Sequence, residues 1–171
     1  MTRQEQTYQR DLNFSNWIRN NLKDSFLGLI SQDIDWIFVN YCTGYFIIVE
    51  VKTHCNNQSK NTSPAQTVIL KLVDEFFKKA SEININQPFS VNPATNINYK
   101  FIGTFLLNFS GTNPDDSEKI YLNNKIIAKY DLMKLLNLDS NNSLIIAKNY
   151  SNDWINETLK NQISYLKGKC D

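Results

Sequence analysis

Three charged side chains interrupt two apolar segments of this 171-residue sequence. Asp35 lies in the segment 34–41, and Glu50 and Lys52 lie near the end of the segment 45–52. Both segments are rich in β-branched and aromatic residues, which predicts two strands of a hairpin. Because side chains alternate along a strand, Glu50 and Lys52 share one face. The pattern therefore predicts a carboxylate and an ammonium side by side on a buried strand.

The length of the hairpin loop decides which way Asp35 points. A two-residue turn at 43–44 places Asp35 opposite Lys52, with Glu50 on the neighbouring diagonal. A four-residue loop centred on the same point keeps this register, whereas a three-residue loop without a bulge turns Asp35 to the opposite face. With an even loop, the two carboxylates and the ammonium meet on one face.

Two neighbouring carboxylates beside an ammonium predict a site for a hard divalent cation. Mg²⁺ prefers oxygen ligands and keeps several waters, which leaves room for a substrate phosphate. Such a cation neutralises the phosphate and lowers the pKa of an attacking water, while Lys52 stabilises the developing negative charge. The reaction that this arrangement favours is phosphodiester hydrolysis.

The spacing of these residues resembles the PD-(D/E)xK nuclease superfamily, which includes restriction enzymes, Holliday junction resolvases and some homing endonucleases. The resemblance rests on Asp35, the intervening residues 36–49, and Glu50-Val51-Lys52 at the end of an apolar strand. It implies that Asp35 and Glu50 bind the metal with the Val51 carbonyl, and that Lys52 is the catalytic lysine. It also implies Mg²⁺ as the cofactor, with Mn²⁺ able to substitute.

The resemblance covers roughly residues 1–110, in the order helix, hairpin, helix and strand. Ile34 stands where the family label has proline. In several branches of the superfamily the helix after the hairpin supplies a glutamine near the site, and Gln66 stands in that place. Gln66 also completes a capping box with Ser63 at the start of a helix, and this structural interpretation is equally open.

The remaining elements complete an α/β pattern, a single domain with a mixed sheet flanked by helices and a restriction-endonuclease-like core. The core spans about 1–110, and 111–171 is an elaboration for dimerisation or DNA readout. The predicted elements up to residue 109 are helices within 2–22, a helix from Pro64 to about Ala80, and a strand Lys100–Phe109. The helix from Pro64 has one apolar stripe, formed by Ile69, Leu72, Val73, Phe76, Phe77 and Ala80. The later elements are a hairpin 119–130 turning at Asn123-Asn124, a short helix after Asp131, a strand 143–148 and a last helix from Ser151 to about Lys167.

Composition limits the setting and the partners. A net charge of +1 gives no basic surplus, so DNA contacts must come from a local patch of lysines. Three cysteines without a C-x-x-C spacing argue against a disulfide framework and against a zinc site. No segment approaches the roughly 20 apolar residues that span a bilayer. We therefore expect a cytoplasmic protein without a membrane partner. The candidate DNA contacts are Lys60, Lys71, Lys78, Lys79, Lys160, Lys167 and Lys169.

The sequence thus predicts a Mg²⁺-dependent DNA endonuclease of the homing or restriction type. Cutting both strands of a duplex requires two sites, which favours a homodimer or a higher homo-oligomer. A Holliday junction resolvase is the nearest alternative. The alternative from another class is a non-catalytic DNA-binding or assembly module with the same fold, and an RNA-directed enzyme is a third possibility.

Overall fold

A computed structural model describes residues 34–53, 62–82, 97–111, 113–139, 141–151 and 153–167. The helices expected within 2–22, together with Lys60 and Lys169, lie outside these residues. The described elements are β1 Trp36–Val39, β2 Tyr45–Thr53, α1 Pro64–Glu82, β3 Lys100–Phe109, β4 Ile120–Leu122, β5 Lys125–Ile126, α2 Lys129–Asn137, α3 Asn141–Tyr150 and α4 Trp154–Lys167.

The five strands form one mixed sheet in the order β1-β2-β3-β4-β5. β2 and β3 are parallel and are joined through α1, whereas the other neighbouring pairs are antiparallel. Parallel strands need a crossover connection, and the amphipathic helix α1 supplies it. The predicted α/β class with a mixed sheet and helices is confirmed, and the hairpin, helix and strand follow each other in the expected order.

β2 is covered on both faces, as its continuous apolar run indicates. Ile47 and Val49 belong to a core cluster that includes residues of α2 and α3. Ile48 belongs to a second cluster on the opposite face, with Leu70 of α1 and Trp154 of α4. The region after residue 110 therefore contributes to both cores and closes both faces of the sheet.

The hairpin loop is one residue earlier than the sequence analysis places it. Asn40 pairs with Tyr45 across a four-residue loop, and the Asn40 side-chain oxygen accepts hydrogen bonds from the amides of Cys42 and Thr43. Strand pairing continues as Trp36 with Val49. The predicted pairing of Asp35 with Lys52 is therefore wrong by two residues. Because the shift is even, it leaves every side chain on its predicted face.

Helix α3 corrects the strand predicted over 143–148. Its buried residues are Ser143, Ile146 and Ala147, a spacing of three and four that suits a helix packed by one face. The Ser143 hydroxyl donates to the Lys134 carbonyl of α2, which satisfies a polar group inside this packing. The segment 143–148 therefore belongs to a short helix and not to a strand.

The turn of the second hairpin is confirmed at Asn123 and Asn124. Both residues adopt positive φ, 49° and 66°, as a two-residue hairpin turn requires. β4 and β5 are shorter than expected, because α2 begins at Lys129, before Asp131.

The predicted apolar stripe of α1 is rotated relative to the buried face. Thr67, Leu70, Asp74 and Ala80 are buried, and Val73 and Phe77 pack against the same core. Leu72 and Phe76, which the sequence analysis placed in the stripe, are 67% and 58% exposed. A buried polar face at Thr67 and Asp74 explains the error, because hydrophobic spacing alone does not reveal it.

Among the described helices, none combines the length and the hydropathy that crossing a bilayer requires.

Gly44 is the position at which the hairpin tolerates no side chain. Its φ is +75°, and an added Cβ would collide with the backbone carbonyl of Asn98. We expect Gly44→Ala to lower the free energy of unfolding by about 2 kcal/mol or more, since both strain and a clash result. Urea denaturation measures this loss. Cys42→Ala, an exposed change in the same loop, should stay within about 0.5 kcal/mol of wild type. Equal stability of the two variants would contradict this account.

Candidate functional site

Asp35 lies just before β1 and reaches the end of β2. Its Oδ2 accepts a hydrogen bond of 2.8 Å from the Val51 amide. Hydrogen-bonded pairs alternate along an antiparallel ladder, so both the amide and the carbonyl of Val51 point towards β1. The carboxylate thus takes the place of a strand carbonyl at the end of the ladder. Continuing the observed register places Asp35 opposite Glu50, on the face expected from the sequence.

Glu50 is completely buried, with 0% exposure. Its Oε1 accepts hydrogen bonds from Lys52 Nζ at 2.7 Å and from Gln66 Nε2 at 2.8 Å. No described residue donates a hydrogen bond to Oε2. A buried carboxylate oxygen without a donor is costly unless something electropositive binds it. The described residues therefore satisfy only one of the two Glu50 carboxylate oxygens.

The electrostatic surroundings raise the pKa of Glu50 above its usual value. Burial is the largest cause, because it disfavours the charged form. The hydrogen bond from Lys52 opposes burial, the nearby negative charge of Asp35 raises the pKa further, and the Asp35 backbone amide, close to the carboxylate, lowers it. This coupling places the two carboxylates within electrostatic reach of each other. Two acidic groups that repel each other in this way favour the binding of a cation.

Gln66 acts both as a helix cap and as part of the site. Its backbone amide donates to Ser63 Oγ, and its side-chain Oε1 accepts from the Ser63 amide, each at 3.2 Å. The same Oε1 accepts from Lys52 Nζ at 3.1 Å, while Nε2 donates to Glu50. The capping box is confirmed, and the same side chain contacts both Lys52 and Glu50. The start of α1 and the charged site are joined through it.

The start of α1 is supported by residues that the sequence analysis did not select. Thr62 and Thr67 share a buried hydroxyl hydrogen bond of 2.7 Å, and Gln162 of α4 donates to the Thr62 carbonyl at 2.9 Å. The signal for Thr62 was available, since hydroxyl residues gather before helices. The contribution of Gln162 comes from 100 residues away and has no local sequence signal.

The chemistry of the assembled donors fits a hard divalent cation. Asp35, Glu50 Oε2 and the Val51 carbonyl offer oxygen atoms, and Lys52 lies beside them. Among the described residues there is no group of three or more His, Cys, Asp or Glu side chains that could hold a metal. A cation bound here would rely on two carboxylates and a backbone oxygen, with water and substrate at its remaining positions. The unpartnered Oε2 is the observation that favours this fit.

A cleft of about 250 Å³ lies elsewhere, between α1, the start of α4 and the start of β3. Its lysines are already engaged: Lys71 binds Glu75 and Asn156, and Lys78 binds Asp74. These two lysines, which the sequence offered as DNA contacts, thus face compensating partners. Lys79 and Lys160 are exposed. Because the lysines of the cleft are already paired with acidic or polar side chains, the cleft is a weaker candidate for a functional site than the cluster around Glu50.

The chain is similar to an uncharacterized protein of Archaeoglobus fulgidus, with 40% identity over 119 residues that span 67% of this chain and 73% of the relative. A further uncharacterized protein of Archaeoglobus fulgidus is 43% identical over 63 residues, which cover 37% of this chain and 42% of that protein. The chain belongs to the same family as the first of these archaeal proteins. No family model matches the chain, and no solved structure matches it. These relatives show the family of the chain and indicate no activity.

The raised pKa of Glu50 predicts a pH-dependent effect of Glu50→Gln. A carboxyl group whose pKa is higher in the folded state stabilises the fold below its usual value of 4.5. That stability is lost as the pH rises through the raised value. In the presence of a chelator, Glu50→Gln should therefore gain stability relative to wild type as the pH rises from about 4.5 towards the raised pKa, by about 1.4 kcal/mol for each unit by which the pKa is raised. Urea denaturation across this range measures the effect.

Glu75→Gln is the matched control, because Lys71 lowers the pKa of the exposed Glu75. The ion pair of Glu75 therefore stabilises the fold above the usual pKa, and this stability is lost as the pH falls. The stability difference between Glu75→Gln and wild type should change little with pH, and with the opposite sign to that of Glu50→Gln. A pH-independent difference between wild type and Glu50→Gln would refute the assigned environment of Glu50.

Proposed function

We propose that this protein is a Mg²⁺-dependent nuclease that hydrolyses phosphodiester bonds in DNA. The observation that carries the proposal is the completely buried Glu50, which has one oxygen held by Lys52 and Gln66, while no residue in the described part of the chain donates to the other. A structural ion pair on a strand has no need to bury a carboxylate and leave half of it unsatisfied. Asp35 on the same face supplies the second acidic group.

In the proposed reaction a water oxygen attacks the phosphorus atom and one phosphorus–oxygen ester bond breaks. The products are a phosphomonoester and a free hydroxyl, and the proton lost by the water balances the one gained by the leaving oxygen. A divalent cation bound by Asp35, Glu50 and the Val51 carbonyl would neutralise charge on the phosphate and acidify the attacking water. The protein's contribution is to hold the two carboxylates at one point.

Lys52 stabilises the negative charge that develops on the phosphate oxygens. Its side chain is 21% exposed, so the ammonium can contact a phosphate arriving from solvent while its aliphatic part stays buried. Gln66 positions it, because the amide oxygen accepts from the ammonium and the amide nitrogen holds Glu50. A fixed ammonium needs little reorganisation when charge develops, and this is the source of its catalytic value.

DNA and a symmetric partner complete the proposal. The resemblance favours an endonuclease of the homing or restriction type, and a homodimer or higher homo-oligomer provides two sites for two strands. The exposed Lys79 and Lys160 are candidate phosphate contacts. A resolvase would act on four-way junctions instead, and a non-catalytic module would bind DNA without cutting it.

Nicking of supercoiled plasmid tests the activity. Wild type should nick in Mg²⁺ or Mn²⁺ and not in a chelator. Asp35→Asn, Glu50→Gln and Lys52→Met should each lose activity by about 100-fold or more, since each removes charge from the reacting centre. Lys148→Ala is the matched control, because it removes an exposed lysine from the last turn of α3 that is not a candidate DNA contact and leaves the charged site intact.

The substrate panel separates the alternatives. Preference for a four-way junction over a plain duplex would move the assignment to a resolvase, and cleavage of RNA alone would move it to an RNA-directed enzyme. Equal nicking by wild type, Glu50→Gln and Lys52→Met would defeat the assignment of the site. DNA binding without cleavage under any of these conditions would favour the non-catalytic module.

A further inference from the structure

We propose that Asn108 on β3 is an additional cation-binding residue, with its Oδ1 and Glu50 Oε2 together holding a hydrated divalent cation. This inference rests on the cation site of the proposed function and names a ligand that the motif does not contain. Asn108 interrupts the apolar segment 105–109 at the end of β3, as Glu50 and Lys52 interrupt the end of β2.

The strand register places Asn108 beside the motif. In the parallel pair β2–β3, Asn108 is the partner of Lys52, and Leu106 is the partner of Glu50. Paired residues on neighbouring strands present their side chains to the same face, with backbones about 5 Å apart. Leu106 packs in the core cluster on the α1 side of the sheet. Asn108 therefore lies on that side too, directly next to Lys52 and diagonal to Glu50.

Burial makes the Asn108 oxygen chemically unusual. The residue is 2% exposed, and none of the residues that the structure describes donates to its Oδ1. A buried acceptor without a donor normally destabilises a protein, and most such groups are satisfied. Glu50 Oε2 is in the same condition on the adjacent strand. Two unsatisfied oxygens on one face, beside an ammonium already bound to Glu50 and Gln66, indicate a shared electropositive ligand.

An amide oxygen and a carboxylate oxygen are both ligands of hard divalent cations. The amide adds an oxygen without adding a charge, so it completes the donor set without increasing the repulsion between Asp35 and Glu50. Either direct coordination or a hydrogen bond from the cation's own water would satisfy Oδ1. In both cases the affinity for the cation depends on the Asn108 oxygen.

Binding of Mn²⁺ to the purified protein tests this inference without any turnover. The loss of the electron paramagnetic resonance signal of free Mn²⁺ measures the binding. Asn108→Leu keeps the size of the side chain and removes the oxygen, and we expect it to weaken Mn²⁺ binding by about tenfold or more. Thr104→Val is the matched control. Thr104 lies on the same strand and face, is 7% exposed, and has an Oγ1 without a donor or acceptor among the described residues. The Thr104→Val variant should bind Mn²⁺ with the same affinity as wild type.

Asn108→Asp provides a second readout with the opposite sign. A carboxylate next to Glu50 should lower the melting temperature in chelator through like-charge repulsion, and should tighten Mn²⁺ binding. A purely structural role for Asn108 predicts the loss of stability without the gain in affinity. Circular dichroism shows which variants are folded, and Asn108→Asp decides the question if Asn108→Leu is unfolded.

The outcomes separate this inference from the proposed function. If wild type takes up no Mn²⁺, both fail. If wild type and Thr104→Val bind Mn²⁺, Glu50→Gln does not, and Asn108→Leu binds as wild type does, the cation site stands and the role of Asn108 is overturned. Weaker binding by Asn108→Leu with tighter binding by Asn108→Asp supports it.

Discussion

The burial of the Glu50 carboxylate in the central part of the sheet governs the arrangement around it. A charge without solvent must be compensated by hydrogen bonds or by an opposite charge. Lys52 from the same strand and Gln66 from α1 both compensate one oxygen of Glu50. The first turn of α1 is consequently fixed above the end of β2. None of the residues that the structure describes donates to the other oxygen, and the proposed function rests on that asymmetry.

Supports reach this point from distant parts of the chain. Ser63 and Gln66 form a capping box, so the start of the helix and the side chain that orders Lys52 are a single unit. Gln162 of α4 binds the residue before that cap. At the far end of β2, the hairpin loop is tied to α2, because Asn40 and Thr43 donate to carbonyls at the end of that helix. The region after residue 110 therefore stabilises the site from both faces of the sheet.

A site of this kind has a cost in stability, since catalytic and binding groups are held in surroundings that disfavour their charged or unpaired forms. The core of the sheet accommodates that cost. Ile47, Ile48 and Val49 are almost completely buried in the strand that carries Glu50. The strand is thus rigid where its polar residues need precise placement.

The sequence by itself determined that Glu50 and Lys52 share a face, because the period of a strand is two, and that a helix begins at Pro64. It predicted Asp35 on that face only if the loop was even, and the observed four-residue loop between Asn40 and Tyr45, although centred one residue earlier than predicted, has that parity. Only the tertiary structure decided the strand register, which when continued by one residue brings Asp35 opposite Glu50, and that 143–148 is helical. It also decided that no described residue donates to Glu50 Oε2 or Asn108 Oδ1. These features depend on contacts between residues far apart in the chain, and local spacing carries no information about them.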